Sequence, residues 1–541
     1  MARISTQSIF QKSRVTLLAA VVIAALAGGI FAEGANAIEK DTIVIARAMD
    51  LNSLDPSRAW CDTCKIYVGA VYETLVGLAP DNKTIKPKLA KSWEVSPDGK
   101  KFTFQLDERA MFSDGSPVEA KDVKWSLERL KNLKEGPSMF VEGIQNIEMP
   151  DAHTVVISVD KWGSEFLGQV AVPYVSIMNS DVAMANGAIS GPDAASKDTA
   201  EGWFLKNSAG SAAFVLDTYR PDEELRLKRN DQYWGTKPAT RQVVIKEVKD
   251  AVSQAQMIES GMVDIATQID TDTAKSIKSD DVVVESLPSF NFVYVGLVPG
   301  SKNNKVPLTA KVREAIALAM DYEGIIEVTV GGKGRVQSTA IPNGFPGTEN
   351  LPGPKRDLAK AKELLEEEGL SEGFEIESVY PNVNQYGVDF GTMMQKIQQD
   401  LKKINITVKL QPVTFPVWID RIKEGTIPMT GLWYAPDYYG TAQYVTYFTM
   451  TPGVRWYGRA GGGKELPELL NKHAVELLGK ASQVSAEQAQ KLYHELGLEM
   501  IKDRIIIPAV NPDLLFVYRK NMTGVRFDIS SELPVSEFGK K

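Results

Sequence analysis

Two cysteines three positions apart are the residues of this sequence most suited to covalent chemistry. The stretch Trp60-Cys61-Asp62-Thr63-Cys64-Lys65 has the W-C-x-x-C-K spacing of thiol oxidoreductases, in which a low-pKa thiolate exchanges disulfides with a substrate. In an exported protein the same pair also forms structural disulfides. A redox enzyme of this kind needs the pair at a helix start within a small fold, whereas this chain has 541 residues. We therefore predict a structural or tolerated pair and keep an exported thiol oxidoreductase as the alternative.

A second candidate region, suited to binding rather than catalysis, is rich in aromatic residues with polar tips. Aromatic walls of this kind suit a ligand cleft, and their faces stack on sugars or planar groups. We expect two to four of these residues to face a ligand and the others to pack in the core. The stretch contains Trp433, Tyr434, Tyr438, Tyr439, Tyr444, Tyr447, Phe448, Trp456 and Tyr457.

The segment from Gly458 to Glu465 is similar to a phosphate-binding loop but departs from it in two ways. Glu465 stands where that loop has Ser or Thr, and no apolar strand leads into the segment. We interpret it as a Gly-rich loop and keep open that Arg459 or Lys464 lies near an acidic group of a ligand.

Composition argues against several other functional classes. The chain has 61 Lys and Arg against 69 Asp and Glu, a net charge of −8, which disfavours a surface that binds nucleic acid. Its three His residues have no metal-ligand spacing, and no G-x-S-x-G nucleophile motif occurs. We predict no catalytic residue, no cofactor, no metal and no nucleic-acid partner.

The first 37 residues have the pattern of a cleaved secretory signal. Three basic residues up to Arg14 precede an apolar stretch from Val15 to Ala32, and Ala35-Asn36-Ala37 supplies an A-x-A cleavage site. A membrane anchor is the alternative, because 18 apolar residues reach the lower limit of a spanning length. We predict a signal peptide over 1–37 and a periplasmic protein.

The elements that position these residues change character along the chain. Up to about residue 250, short segments such as Thr42–Ala46, Lys101–Leu106 and Thr154–Val159 predict strands, and Pro97-Asp98-Gly99 predicts a turn before the second of them. From about residue 310, helical spacing at Val312, Ala315, Ile316 and Ala319 begins an alternation of helices and strands, which predicts a mostly parallel sheet covered on both faces. One of these predicted helices runs to Glu368, with Asp357 as its N-cap. No polar linker separates the two halves, so we expect chain crossings between two α/β lobes, a hinge and a cleft.

Four segments in order resemble the family 5 extracellular solute-binding proteins, the dipeptide, oligopeptide and nickel-binding group that serves ABC importers. No single segment is decisive, but the four together cover nearly the whole chain after the signal. They are Leu54-Asp55-Pro56 with Val71–Val76, LAKSWEVSPDGKKFTFQLDERAMFSDGSPVEAKDVKWSLER (Leu89–Arg129), Phe214–Ala266, and VREAIALAMDYEGII (Val312–Ile326) with the DLAKAKELLEEEGL that follows.

The resemblance implies a two-lobed periplasmic binding protein of the Venus-flytrap, type II-like class. It implies lobe I over 38–289 plus 511–541, with an extra subdomain over 80–192, and lobe II over 290–510. It also implies a function: capture of a peptide or related small polar solute by lobe closure, and delivery to the permease and ATPase subunits of an ABC importer. The protein is then not an enzyme, and we expect a monomer.

The same resemblance suggests where the ligand lies. Asp437 matches, with a one-residue shift, an Asp that receives the α-ammonium of a peptide through a charge-assisted hydrogen bond. Dipeptide binders hold the carboxylate with an Arg ahead of Met393, but Tyr380–Thr392 contains no Arg or Lys, so an opine or sugar derivative stays an alternative ligand. The candidate ligand-binding residues are Trp60, Cys61, Asp62, Thr63, Asn384, Tyr386, Trp433, Asp437, Tyr438 and Tyr439.

Overall fold

A computed structural model describes residues 41–160, 163, 165–463 and 466–541. The predicted signal peptide over 1–37 and Lys464 lie outside these residues. No helix in the described ranges combines the length and the apolar composition that crossing a bilayer requires.

Helices occur along the whole described chain, and many begin at a side-chain cap. Asn471, for example, accepts a hydrogen bond from the Ala474 N–H, which is a typical N-cap contact. The helices are α1 Asp62–Val71, α2 Ala120–Leu133, α3 Phe166–Gln169, α4 Ser180–Ala185, α5 Ala194–Lys197, α6 Glu201–Phe204, α7 Ala251–Glu259, α8 Thr271–Ser276, α9 Ala310–Ala319, α10 Tyr322–Val330, α11 Leu358–Glu367, α12 Phe390–Lys402, α13 Phe415–Lys423, α14 Ala442–Phe448, α15 Arg455–Arg459, α16 Lys472–Ala481 and α17 Ala486–Asp503. Short 3₁₀ segments are Gly136–Phe140, Pro173–Val175, Pro467–Leu469 and Val535–Glu537.

Within the described ranges, the strands form three large sheets and three two-stranded ribbons. In chain order they are β1 Thr42–Arg47, β2 Val76–Leu78, β3 Ile85–Pro87, β4 Ala90–Val95, β5 Lys101–Leu106, β6 Ile144–Asp151, β7 Thr154–Val159, β8 Phe214–Arg220, β9 Glu224–Arg229, β10 Gln242–Glu247, β11 Ile265–Ala266, β12 Val282–Leu287, β13 Phe292–Leu297, β14 Gly334–Arg335, β15 Phe374–Pro381, β16 Asn384–Gln385, β17 Val388–Asp389, β18 Ile406–Val413, β19 Met429–Tyr434, β20 Ile506–Pro512, β21 Leu514–Arg519, β22 Met522–Thr523 and β23 Gly539–Lys540.

The first lobe is built on a seven-stranded sheet of order β12-β21-β11-β1-β10-β9-β8. Strand β1 lies in its middle and is parallel to both neighbours, β10 and β11. A large apolar core that includes helix α1 covers one face, and a smaller core that includes Ile258 of α7 covers the other. Strand β1 is buried along its whole length, and its middle residues, Ile43 to Ala46, form the continuous apolar run that is typical of a central parallel strand.

A separate four-stranded antiparallel sheet, β4-β5-β7-β6, lies within the same lobe. The predicted Pro97-Asp98-Gly99 turn is confirmed: the Gly99 N–H donates to Ser96 O at 2.8 Å between β4 and β5. Gly99 has a φ of +63°, the left-handed conformation that glycine adopts without strain.

The second lobe is built on a six-stranded sheet of order β14-β20-β13-β19-β15-β18. The expectation of a mostly parallel sheet is wrong in detail, because only β15 pairs in parallel, with β18 and β19. Helices α12 and α13 lie between these strands in sequence and provide the crossovers that parallel pairing needs. Strand β13 follows the first passage of the chain between the lobes, and β20 precedes the second. The two strands pair antiparallel with each other, and β13 also pairs antiparallel with β19.

A buried ion cluster joins two of the segments that carry the family resemblance. Arg129, at the end of the second segment, donates to both oxygens of Asp55 in the first, at 2.7 and 2.5 Å. Its Nε donates to Asp198 at 2.8 Å, and the Arg129 and Asp55 side chains are fully buried. These residues therefore hold the lobe together rather than contact a ligand.

The chain passes between the two sheets twice, side by side. Residues 288–291 connect β12 to β13, and Asp513 separates β20 from β21. The Asn511 side chain ties the passages together by donating to Ser289 O at 3.0 Å and to Asn291 O. The domain boundaries given above stay predictions.

Candidate functional site

A cavity of about 620 Å³ lies between the two lobes. The first lobe supplies the start of α1, with Asp62 and Lys65, and the Gly136–Phe140 turn. The second lobe supplies the end of β19, the loop after it and helices α13 and α15. Its lining residues are Trp60, Asp62, Lys65, Gly136, Met139, Tyr294, Tyr386, Phe415, Trp418, Ile419, Leu432, Trp433, Tyr434, Ala435, Asp437, Tyr447, Arg455 and Arg459.

A second cavity of about 400 Å³ adjoins the first. The two share Asp62 and Tyr386 as wall residues. The smaller cavity is lined by Arg47 from the end of β1, by Asn384 and Gln385 of the β16–β17 hairpin, and by Glu532. Tyr386, which has a φ of +55° at the hairpin turn, lines both cavities.

The start of helix α1 is held in place by its own cap and by one carboxylate. Cys61 is the N-cap residue, its sulfur accepts from the Cys64 N–H, and the two cysteines form a disulfide. The Asp50 carboxylate accepts from the Asp62 N–H at 2.9 Å and from the Thr63 N–H and hydroxyl at 2.9 and 2.6 Å. These contacts fix the first helical turn, so the next residues on that helix face, Asp62 and Lys65, project into the larger cavity.

An ion pair connects the lobes across the larger cavity. The Lys65 ammonium lies 3.5 Å from an Asp437 carboxylate oxygen, and their side chains are 4% and 16% exposed. Burial raises the pKa of Asp437, and the charge of Lys65 opposes that shift. Burial alone would lower the pKa of Lys65, but the carboxylates of Asp437, Glu532 and Asp62 outweigh it and raise the pKa. The pair thus places one positive and one negative charge at the same ligand-accessible wall.

Two further carboxyl groups of the site have raised pKa values. Burial, reinforced by the neighbouring Asp62, raises the pKa of Glu532 to about 8. Burial also raises the pKa of Asp62, while Lys65 and Arg47 oppose the change. At neutral pH Glu532 therefore lies largely in its neutral form and can donate as well as accept a hydrogen bond.

We expect the Glu532→Gln variant to be more stable than the wild type at alkaline pH and equally stable near pH 4.5. The raised pKa means that the protonated carboxyl stabilises the fold, and this contribution is lost as the pH rises from the ordinary 4.5 through about 8. Glutamine keeps the neutral shape at every pH. Urea unfolding of both proteins between about pH 5 and pH 9 measures the difference. The exposed Glu142→Gln variant is the control, and a Glu532→Gln gain that does not change with pH would contradict the assignment.

Aromatic side chains form much of the remaining wall of the larger cavity. Trp60 stacks on Phe140 and Tyr174 with ring centroids 6.0 and 6.2 Å apart. A Cβ at Gly136 would lie 2.2 Å from the Trp60 ring, so only glycine permits this approach. On the other side, Trp433 packs against Phe390 and Phe415. Of the nine aromatic residues predicted as a group, Trp433, Tyr434 and Tyr447 line the cavity.

The structure brings six of the ten predicted ligand residues to the two cavities. Four others have packing or capping contacts instead, and their assignment as ligand contacts stays a prediction. Cys61 caps α1, and the buried Thr63 bonds to Asp50. Tyr438 packs in the core of the first lobe, and the Tyr439 hydroxyl donates to Gly344 O at 2.9 Å. The six are Trp60, Asp62, Asn384, Tyr386, Trp433 and Asp437.

The lobes also touch beside the cavities. The Glu165 carboxylate of the first lobe accepts from the Thr441 N–H at 2.7 Å and from the Ala442 N–H at 2.9 Å, at the start of α14. Tyr438 enters the apolar core of the first lobe close by. These contacts and the Lys65–Asp437 pair hold the lobes together around the cavities.

Sequence reasoning missed the charged residues that the first lobe contributes. Lys65 stands three positions after Asp62 on a helix, a spacing that places both on one face. Arg47 ends a strand that had been recognised as far as Ala46. Glu532 carries no local signal, because its position follows from how residues 528–532 fold back on themselves. In the described part of the chain, no group of three or more His, Cys, Asp or Glu side chains is arranged to hold a metal ion.

Comparisons with known proteins agree with this architecture. The family model described as bacterial extracellular solute-binding proteins, family 5, middle part, matches residues 84–455. A probable D,D-dipeptide-binding periplasmic protein of Escherichia coli K12 is 29% identical over 423 residues, covering 76% of this chain and 78% of that protein. A dipeptide-binding protein of the same strain is 27% identical over 378 residues, covering 66% and 68%.

A solved structure shows the same fold at lower sequence identity. The periplasmic binding protein DppA from Helicobacter pylori in complex with the peptide STSA superposes with a TM-score of 0.76 at 22% identity. The match covers 92% of this chain and 98% of that one. The two-lobed α/β architecture predicted from the sequence is thereby confirmed.

Proposed function

The chain belongs to the family 5 bacterial extracellular solute-binding proteins, and we propose that its solute is a peptide, captured between the lobes and handed unchanged to an ABC importer. The observation that carries the peptide assignment is the cavity of about 620 Å³ between the lobes, with a buried ion pair at one wall and aromatic rings around it. Its volume is in the usual range for small-molecule sites. The relatives named as dipeptide-binding proteins support the same class of ligand.

In this proposal the peptide N-terminus lies beside Asp437 and Asp62. Both carboxylates line the larger cavity, and Lys65 compensates only one of them. An ammonium group placed between them restores the balance of charge in a site shielded from water, where charge-assisted hydrogen bonds are strong. The polar tips of Tyr386 and Tyr434 then remain for the peptide backbone.

The setting of the proposed function follows from the sequence. We place the protein in the periplasm after removal of residues 1–37, with lobe I over 38–289 plus 511–541 and lobe II over 290–510. It acts as a monomer, and its partners are the permease and ATPase subunits of the importer, which respond to the lobes when closed on the ligand. Because it binds and releases without catalysis, the peptide leaves chemically unaltered.

We expect peptides to stabilise the protein and to change its tryptophan fluorescence, because Trp60, Trp418 and Trp433 line the cavity. A ligand at about 100 times its Kd stabilises the folded state by about 2.7 kcal/mol. The test exposes protein starting at Ile38 to L-Ala-L-Ala, D-Ala-D-Ala and the tetrapeptide STSA, and records melting temperature and emission.

Mass spectrometry of the recovered peptide completes the test. Recovery of the intact peptide agrees with transport binding, whereas cleaved or oxidised product would contradict it. A Cys61→Ser variant that binds peptides as the wild type does excludes a redox role for the disulfide in binding. Absence of any effect across the peptide set would contradict the proposed ligand class.

A further inference from the structure

The guanidinium of Arg47 is an unusual buried charge. Arg47 is 5% exposed, its Nε has no hydrogen-bond partner, and it makes no ion pair within 4.0 Å of a carboxylate in the described part of the chain. Removing an ion from water costs several kcal/mol unless a partner compensates. The contacts within the first lobe therefore do not account for the burial of this charge.

Other buried guanidinium groups of the same structure show the ordinary arrangement. Arg129 is fully buried and donates to two carboxylates. Arg313, 7% exposed, donates to the carbonyls of Asp503 and Leu308 at 2.8 and 2.7 Å. Arg47 departs from this pattern while lining a cavity, so its missing partner belongs in that cavity.

The position of Arg47 in the sheet also indicates that its partner is a ligand in the smaller cavity. It is the last residue of β1, which is flanked by two strands parallel to it. In open α/β sheets, ligands bind in the crevice beyond the carboxyl ends of such strands. The smaller cavity lies in that crevice.

The acids around the smaller cavity are already engaged or neutral. Asp513 pairs with Arg335 at 2.5 Å, and Asp270 caps helix α8. Glu532, with its pKa of about 8, is largely protonated at neutral pH. Asp50, whose pKa Arg47 helps to lower, accepts three hydrogen bonds from the start of α1.

The remaining polar groups of this wall favour an anionic guest with hydrogen-bonding capacity. Lys249 and Lys333 add positive charge to the lining. The buried Thr267 hydroxyl has no hydrogen-bond partner, also belongs to a lining residue, and can donate to an anion. Asp62 is the remaining acid, and it stands at the junction with the larger cavity.

We propose that Arg47 binds the C-terminal carboxylate of the captured peptide, which runs from Asp437 in the larger cavity past Asp62 and Tyr386 into the smaller one. The inference rests on the proposed function and adds the specificity residue that the sequence between Tyr380 and Thr392 does not provide. A guanidinium suits this role because its planar N–H groups match a carboxylate in a bidentate geometry.

Isothermal titration calorimetry of a two-by-two cycle tests the proposal. L-Ala-L-Ala, D-Ala-D-Ala and STSA are each titrated as free acid and as C-terminal amide into the wild type and into Arg47→Gln. We expect the wild type to prefer a free acid by on the order of 100-fold, and Arg47→Gln to bind acid and amide alike, because the discrimination comes from one desolvated charge pair. Arg241→Gln, an exposed arginine of the same lobe paired with Asp41, is the matched control and retains the wild-type preference.

Each alternative result has a distinct meaning. Equal binding of acid and amide by the wild type, or discrimination retained in Arg47→Gln, overturns the role of Arg47 and leaves the peptide function standing. Discrimination lost instead in Arg455→Gln or Arg459→Gln overturns it by placing the carboxylate in the larger cavity. If no peptide binds to the wild type, the proposed function itself fails. Should Arg47→Gln not fold, Arg47→Lys replaces it, and a weakened but retained preference for the free acid is then expected.

Discussion

Replacing Arg129 with methionine is expected to lower the free energy of unfolding by about 3–5 kcal/mol, because it strands two buried carboxylates. Asp55 and Asp198 are both fully buried and both bond to Arg129. Arg58, 3.5 Å from Asp55 and 3.3 Å from Asp198, would be left as their common cation. Urea unfolding followed by circular dichroism measures the change.

The surface pair of Arg109 and Asp107 is the matched control. The two side chains approach to 2.6 Å, but the Arg109 side chain is 77% exposed, so Arg109→Met should cost far less stability than Arg129→Met. The triple variant Arg129→Met, Asp55→Asn, Asp198→Asn should recover part of the loss, since it removes the stranded charges. If Arg129→Met costs no more than Arg109→Met, the cluster has no structural role.

The second large effect is on ligand affinity. The Asp437→Asn variant should bind peptides with a free N-terminus more weakly by about 2–4 kcal/mol, which is a roughly 30- to 1,000-fold higher Kd. The change removes a carboxylate and also takes from the buried Lys65 ammonium its partner at 3.5 Å, beside the ligand ammonium. Like charges in a shielded site repel strongly, so both consequences act in the same direction. Calorimetry with free and N-acetylated forms of one peptide measures the effect.

The N-acetylated peptide separates the charge effect from a general loss of the site. Its affinity should change much less, because it has no ammonium for Asp437 to bind. Asp420→Asn, on an exposed face of α13 and outside the cavity lining, is the control for substitution in the same lobe. Equal losses for the free and the acetylated peptide would assign Asp437 to the turn after β19 instead.

Local features of the fold were predictable, because neighbours in sequence determine them. The turn at Gly99 and the helix that Asp357 caps were both predicted, and both are present. The sheet of the second lobe was less predictable, since alternation of helices and strands does not reveal that β13 and β20 join it from the lobe passages. Pairing between such strands depends on contacts that are distant in sequence.

The site shows the same division. Asp437 was predicted from the family resemblance and Trp433 from the aromatic stretch, and both line the larger cavity. Lys65 was not, because its partner comes from the other lobe and no local pattern predicts an ion pair across a cleft. Arg47 was missed for a similar reason: that its guanidinium makes no direct ion pair with a described carboxylate is visible only once the surroundings of β1 are known.

The placement of β21 governs the order in which the molecule becomes functional. A chain appears from the ribosome or the translocation pore N-terminus first, and β13 to β20 can assemble their own sheet once residue 512 has emerged. Strand β21, residues 514–519, lies between β12 and β11, so the other sheet stays split until these later residues arrive. The first lobe therefore begins to form first but is completed last. A chain that ends before β21 lacks a complete first lobe and so cannot hold a ligand between two finished lobes.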